Sequence, residues 1–526
     1  MLRINNVKVA LGQSHYAKVI SQVLNVREKE INHVQLVKQS IDARRSHVHL
    51  ICSFDFEVKD EDQFLKDHPQ VSRSQPYHYD YLPKNDQHVV VVGSGPAGLF
   101  CAYVLTQVGQ KVTVVERGQP VEKRVKDVEK LLCEGQLIPQ SNIAFGEGGA
   151  GTFSDGKLTT GIKNKRLPFV LETFVKYGAP KDILYLSKAH IGTDYLRQVL
   201  IRMRKDMESK GTQFLFDTQM IDFNLLNDVK IVKLLHQGKV STIKADALVL
   251  AIGHSARDTY EMLYQKGLAM QQKAFAVGVR IEQSQESINR IQYKKSATSP
   301  HLKAAPYKLA VKTSEGRGVY TFCMCPGGYV VPSMHEEGTL CVNGMSYYAR
   351  DGKNANSAIL VNVNTDDFAS DHPLAGIDFQ RQLEKKAFIL GGSCYKAPVQ
   401  LVEDYYQGIV SVACKGIEPT YRPGYVFADI HRIFPDFINR NLKEGLQLMN
   451  QKMPGFINEA TLMTGVEARS SSPVRLVRDE KYEANFVGVY PIGEGAGYAG
   501  GIMSAAVDGI ICAEMILSKE SNNGSY

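Results

Sequence analysis

The stretch Val89-Val-Val-Val-Gly93-Ser-Gly95-Pro96-Ala97-Gly98-Leu-Phe-Cys-Ala-Tyr-Val-Leu105, followed by Lys111-Val-Thr-Val-Val-Glu116-Arg117, decides the fold. The valine run reads as a buried strand, the G-x-G-x-x-G spacing as a turn, Pro96 to Val108 as a helix and Lys111 to Glu116 as a second strand, which is one βαβ unit. Each glycine has its own steric task. Gly93 permits the tight turn, Gly95 lets backbone approach a pyrophosphate, and Gly98 lets helix and strand pack closely. The helix opens at Pro96 and Ala97, so its free N–H groups and the positive end of its dipole face that turn. Glu116, with Arg117 beside it, stands where an acid accepts hydrogen bonds from the hydroxyls of an unphosphorylated ribose, which NAD and FAD share.

A second motif decides between those two nucleotides. Phe486-Val-Gly-Val-Tyr-Pro-Ile-Gly493-Glu494-Gly-Ala-Gly-Tyr-Ala-Gly-Gly501-Ile502-Met-Ser-Ala-Ala506 again runs strand, glycine turn with an acid, helix. It resembles the distal flavin motif of the glutathione-reductase-type FAD fold, in which the acid receives a ribityl hydroxyl; Glu494 stands here where Asp is commoner. The helix from Ile502 would aim its positive end at the flavin N1 and C2 carbonyl, where reduced flavin carries negative charge. Glu116 and Glu494 lie far apart in the chain yet must meet one molecule, so the FAD domain is expected to be discontinuous.

Three further segments belong to this expectation. Ala245 to Gly253, followed by His254-Ser-Ala-Arg-Asp-Thr259, reads as a buried strand that brings Gly253 past the cofactor. The strand Phe214 to Phe223 makes Met220 a candidate adenine neighbour by position. In Gly148-Gly149-Ala150-Gly151-Thr152-Phe-Ser-Asp-Gly156-Lys157, closely spaced glycines allow backbone N–H groups near flat or anionic groups, and Lys157 could balance reduced-flavin charge. A solvent loop with a surface lysine is the alternative.

Candidate catalytic groups are Lys157, Arg280, Cys325 and Arg469. Arg280 and Glu282 share a strand face by period 2, where they would grip an anionic group or pair with each other. Cys323-Met-Cys325 places two thiols on one face by the same rule, with small core cysteines as the other reading. Thr464-Gly-Val-Glu-Ala-Arg469-Ser-Ser-Ser472 could bring Arg469 and Ser472 to the flavin edge or a substrate carboxylate. The chain has no second strand, G-x-G-x-x-G, helix unit and no redox C-x-x-C, so NAD(P)H, as an external donor, would have to reach the flavin without its own Rossmann domain.

The length of 526 residues exceeds what one core organises. The expected division is an α+β domain at 1–80, a Pro- and Tyr-containing linker, the FAD domain at 87–260, a strand-rich substrate or cap domain at 261–460 and the rest of the FAD domain at 461–526, ending in a polar tail from Lys519. The fold class is thus α/β, a Rossmann-like FAD/NAD(P)-binding domain carrying an inserted α+β domain and a small N-terminal one. Hydrophobic residues at 44% and charged residues at 22% fit a soluble globular enzyme rather than a disordered or fibrous chain. Nine scattered cysteines without C-x-x-C argue against a disulfide framework or metal site and for a reducing, cytoplasmic location. No signal peptide and no apolar run of membrane-spanning length is present. The net charge of +7 is too mild to mark a nucleic-acid binder. Between 280 and 320, however, Arg280, Arg290, Lys294, Lys295, Lys303, Lys308, Lys312 and Arg317 face only Glu282, Glu286 and Glu315, which suggests an anionic small-molecule substrate.

The chain resembles the FAD-dependent (NAD(FAD)-utilising) dehydrogenase family of bacteria and plastids. The resemblance rests on Gln39-Ser-Ile-Asp-Ala-Arg44, Gly93 to Gly98, Gly148 to Lys157, Ala251 to Asp258, Gly278-Val-Arg-Ile-Glu282, Phe322-Cys-Met-Cys-Pro-Gly-Gly328, Asn343-Gly-Met-Ser346, Glu467 to Arg475 and Gly493 to Gly497. It implies FAD and leaves the substrate open. The expected function is an FAD-dependent dehydrogenase or reductase passing a hydride through flavin N5. A flavin monooxygenase competes with it, as does an FAD-containing RNA-binding or RNA-modifying protein that uses Arg44, Arg45, His47 and His49.

Overall fold

Val89 and Val91 point to one side of a parallel sheet and Val90 and Val92 to the other, each into its own apolar cluster. A strand covered on both faces needs the unbroken valine run seen in the sequence. The computed structural model describes residues 1–227 and 229–519, so the polar tail beyond Lys519 lies outside the described residues. The sheet has five parallel strands in the order Val489–Pro491, Ala247–Leu250, His88–Val92, Lys111–Val115 and Gln213–Leu215. The helices Pro96–Gln107 and Ile502–Leu517 cover one face. They touch so closely that a side chain on Gly509 would meet the Ala97 carbonyl oxygen at 2.0 Å. Antiparallel strands Thr218–Leu226, Val229–His236 and Lys239–Ala245 lie toward the other face. The expected single strand Phe214 to Phe223 is broken at Asp217, whose φ of 51° turns the chain out of the parallel sheet.

The inserted domain is built on a seven-stranded sheet in the order Ala310–Lys312, Gly318–Cys325, Asn354–Val363, Phe275–Ser284, Leu462–Glu467, Ala397–Leu401 and Tyr425–Phe427. Leu462–Glu467, expected with the C-terminal part of the FAD domain, pairs here with Phe275–Ser284 and Ala397–Leu401. Its run of fully covered residues suits a central strand of this sheet. The chain crosses between the two bodies at Met270–Gln272 and Val474–Leu476, which pair antiparallel.

Residues 1–73 form a β-α-β-β-α-β unit with strand order Asn32–Asp42, His49–Glu57, Leu2–Val9, Val71–Arg73. Phe54 and Phe56 are buried in its core with Leu2 and Ile4. Those aromatics are therefore not available to stack on bases, and Arg44 is held by Asp42 at 2.7 and 2.8 Å. The linker is anchored: Tyr79 stacks on Phe169 with centroids 4.0 Å apart and donates its hydroxyl to Glu514 at 3.0 Å. Among the described residues no helix is long and apolar enough to cross a membrane.

Candidate functional site

Four of the parallel strands end in the segments Gly93-Ser-Gly95, Glu116-Arg117, Ala251-Ile-Gly253 and Ile492-Gly493-Glu494. Parallel strands all present their carboxyl ends on one side, so these segments converge on one cleft, where open α/β sheets bind ligands. It encloses about 250 Å³. Of the residues singled out in the sequence, Gly93, Gly95, Pro96, Ala97, Glu116, Arg117, Gly149, Ala150, Gly151, Met220, Gly253, Gly493, Glu494, Gly501 and Ile502 line it. Gly98 and Thr152 do not. A Cβ on Gly98 would sit 2.0 Å from the Gly93 carbonyl oxygen, so Gly98 serves the packing of turn on helix. Thr152 is fully buried and turns its hydroxyl inward to the Glu147 carbonyl at 2.8 Å.

Two helices begin at this cleft, at Gly95 and at Gly501, and neither start is capped by a side chain. Their first N–H groups thus lack the usual side-chain acceptor, and both dipoles point positive ends at the same space. Gly95 and Gly149 face each other closely: a Cβ on Gly149 would lie 3.1 Å from the Gly95 Cα.

The two acids of the motifs differ. Glu116 accepts from the Ser94 amide (3.0 Å) and hydroxyl (2.7 Å) on one oxygen, and from the Gly118 (2.9 Å) and Gly146 (3.1 Å) amides on the other. Its acceptor sites are already shared with the glycine turns, so a ribose hydroxyl would have to compete with an amide. Glu494 is freer, with His254 Nδ1 3.1 Å away and nearly a third of its side chain exposed. Arg117 is held by Asp258 at 3.1 and 2.5 Å and lies over the Phe145 ring at 4.4 Å.

The catalytic expectations fare differently. Arg280 is fully buried and spends every donor: Glu467 at 2.6 and 3.1 Å, Asn356 at 2.6 Å, the Cys323 carbonyl at 3.1 Å and Asn343 at 3.2 Å. It has none left for an anionic ligand, and its partner is Glu467 rather than Glu282. Glu282 instead accepts from Thr420 and Asn354. None of the eight basic residues between 280 and 320 lines the cleft, which removes the ground for an anionic substrate. Several are spoken for elsewhere: Arg290 pairs with Glu286, Lys303 with Asp182 and Arg317 with Asp367.

Cys325 is buried and also stands off the cleft; Cys323 lines it. The period-2 reading failed because the strand bulges between Phe322 and Cys325, with Cys323 at a φ of 43°. Lys157 lies behind these thiols, 3.9 Å from each sulfur and 3.2 Å from Asp155, instead of on the cleft wall.

Arg469 does line the cleft, but its guanidinium is clamped on Glu384 at 2.8 and 3.0 Å and contacts His335. Glu384 also receives both ends of Arg257 at 2.9 Å. Burial works against the charge on Glu384, yet Arg257 and Arg469 outweigh it and hold the carboxyl at about 2. Burial, followed by the charges of Arg469 and Arg257, pushes His335 well below its ordinary value. Ser472 is buried and bonded to the Val474 carbonyl at 2.7 Å, away from the cleft.

Phe145, Thr218, Gln219, His254, Phe322, Asn343 and Ser470 also line the cleft and were not singled out as site residues. His254 was legible, since it follows Gly253. The others arrive from loops and strands whose approach no local pattern encodes. Among the described residues no group of three or more His, Cys, Asp or Glu side chains could hold a metal ion.

A family described as "FAD-dependent protein, C-terminal domain-like" matches residues 274–470, and one described as pyridine nucleotide-disulphide oxidoreductase matches residues 88–132. A domain of unknown function matches residues 1–57. An uncharacterized protein of Clostridium beijerinckii is 45% identical over 529 residues, covering 98% of this chain and 99% of its own. An L-amino acid oxidase of Crotalus durissus cumanensis is 50% identical over 49 residues, 9% of this chain and 10% of its own. Among solved structures, a flavin-dependent brominase matches at 12% identity and a TM-score of 0.38, covering 83% of this chain and 81% of its own. With its Clostridium beijerinckii relative, the chain belongs to an FAD-dependent oxidoreductase family.

Proposed function

We propose that this protein is an FAD-dependent dehydrogenase or reductase of a small molecule, with FAD held in the cleft at the carboxyl edge of the parallel sheet. One observation carries the reading: two uncapped helix N-termini, at Gly95 and Gly501, converge on a single glycine-walled cleft. That arrangement fits a long, anionic, partly flat group. Gly95 and Gly149 leave bare backbone where a side chain would intrude, and the two helix starts favour negative charge.

Bound there, FAD supplies two-electron hydride transfer through its N5. The amides at the start of the helix Pro96–Gln107 would hold the pyrophosphate. Glu116 would accept from the adenosine ribose, exchanging an amide for a hydroxyl, while Arg117 and Met220 border that end. Glu494, oriented by His254, would accept from a ribityl hydroxyl. The start of the helix Ile502–Leu517 would stabilise negative charge as it develops on the flavin. Phe322, Cys323, Asn343 and Ser470 complete the wall contributed by the inserted domain and, with FAD bound, would exclude water from that end.

The test is reconstitution of apoprotein with FAD followed by stopped-flow absorbance with NADH and with NADPH, in air and under argon. Stoichiometric FAD uptake and bleaching by a nicotinamide are expected. A protein that takes up no FAD would sink the reading.

A further inference from the structure

Cys323 at the cleft wall, with Cys325 and Lys157 behind it, forms a cluster that positioning of a cofactor does not require. Cys323 lies on the cleft and Cys325 is fully buried behind it. The ammonium of Lys157 stands 3.9 Å from both sulfurs, and Asp155, 3.2 Å from that ammonium, anchors it. The Cys325 thiol also points at the Cys323 carbonyl, 3.2 Å away, so it turns toward its partner residue.

The backbone is shaped for this. Between Phe322 and Cys325 the strand advances three residues while its neighbour advances two, from Ala358 to Asn356. Even a straight i, i+2 pair spans only roughly 6.6 Å between Cα atoms, inside the roughly 4.4–6.8 Å window of a disulfide, and the bulge turns Cys323 to the cleft and Cys325 behind it. Cys323 holds a φ of 43°, a conformation that L side chains rarely adopt, and the Arg280 guanidinium pins its carbonyl at 3.1 Å. Strained backbone held in place at a cleft is a feature that clusters at functional sites.

We propose that Cys323 and Cys325 are a dithiol–disulfide couple that exchanges two electrons with the flavin, with Lys157 as the cation serving both sulfurs. The inference rests on the reading of the cleft as the FAD site. In the oxidising direction the Cys325 S–H bond breaks and one S–S bond forms to the Cys323 thiolate. The two electrons and one proton pass to oxidised flavin, which becomes its two-electron reduced anion; the reverse step returns them and opens the disulfide. The environment suits the role. A hydrogen bond from Cys325, followed by the charges of Lys157 and Arg280, holds the Cys323 thiol below its ordinary value and favours the thiolate that reacts. Cys325, as the donor in that bond and buried, is shifted the opposite way.

The experiment uses the full-length holoprotein, oxidised with diamide, desalted and split. One half is alkylated in denaturant and peptide-mapped by mass spectrometry; the other is titrated anaerobically with dithionite. A Cys323–Cys325 linkage and an uptake of about four electrons per flavin are expected, falling to about two in Cys325→Ser because one two-electron couple is lost. Cys323→Ser gives the same loss if the buried Cys325→Ser chain fails to fold. Free thiols at both positions after diamide, with about two electrons taken up, would overturn the couple while leaving FAD binding intact. Failure to hold FAD would instead overturn the cofactor reading and the flavin as electron partner, whatever the peptide map shows.

Discussion

Arg280 and Glu467 stand on adjacent antiparallel strands of the inserted domain, joined diagonally by two hydrogen bonds of 2.6 and 3.1 Å, with both side chains buried. Arg280 also donates to the Cys323 carbonyl at 3.1 Å, which ties the pair to the bulge. Burial pushes the Glu467 carboxyl up, and the charge and hydrogen bonds of Arg280 are the main counterweight. Removing one partner strands the other. Arg280→Met should therefore destabilise the protein by about 3–5 kcal/mol, measured by urea unfolding. Equal losses for the single and double variants would show that the two residues act as a unit.

Gly95 and Gly98 stand three positions apart in one motif yet should fail differently. A methyl group on Gly95 meets nothing nearer than the Gly149 Cα at 3.9 Å, whereas on Gly98 it strikes the Gly93 carbonyl at 2.0 Å. Gly95→Ala should leave the apoprotein within about 0.5 kcal/mol of the parent and weaken FAD binding about tenfold or more. Gly98→Ala should lower the stability of the apoprotein itself. Thermal melts with and without FAD, alongside an FAD titration, separate the two outcomes.

Glu384 gives the protein a pH dependence of predictable sign. Its folded value of about 2 lies below the ordinary 4.5. A carboxyl depressed on folding contributes its full stabilisation above the unfolded value and loses it as pH falls through the folded one. The contribution should thus fade between pH 4.5 and about 2. His335, depressed from 6.5, begins to cost stability below that pH as well. Glu384→Gln should be less stable than the parent near neutral pH, and its stability should fall less steeply in acid. Parallel acid-dependence curves would count against the argument.

Tyr79 ties the linker to the nucleotide-binding body through Phe169 and Glu514, the carboxylate that also pairs with Arg166. Tyr79→Phe keeps the ring stack and loses one hydrogen bond to a charged group, about 1.5–3 kcal/mol. Tyr79→Ala loses both. Limited proteolysis within residues 74–86 should accelerate in that order, and identical cleavage of all three proteins would refute a strap.

The parallel sheet, its two covering helices and most of the cleft were legible in the order of amino acids. These features rest on local sterics: a glycine turn that opens a helix, valines that alternate between two buried faces, an acid one residue past a strand. Such constraints act within a few residues and leave their mark in the order of amino acids. The rest came from contacts between distant segments. Arg280 chose Glu467 over its strand neighbour Glu282 because burial forces a charge onto whichever carboxylate the adjacent strand supplies. Glu384 collects Arg257 and Arg469 from distant segments for the same reason. The bulge that exposes Cys323 and hides Cys325 comes from the pairing of Gly318–Cys325 with Asn354–Val363, and no period in either strand records the extra residue. Local patterns specify backbone, whereas the partner of a buried charge and the register of a sheet are settled by desolvation and hydrogen bonding between residues the sequence keeps far apart.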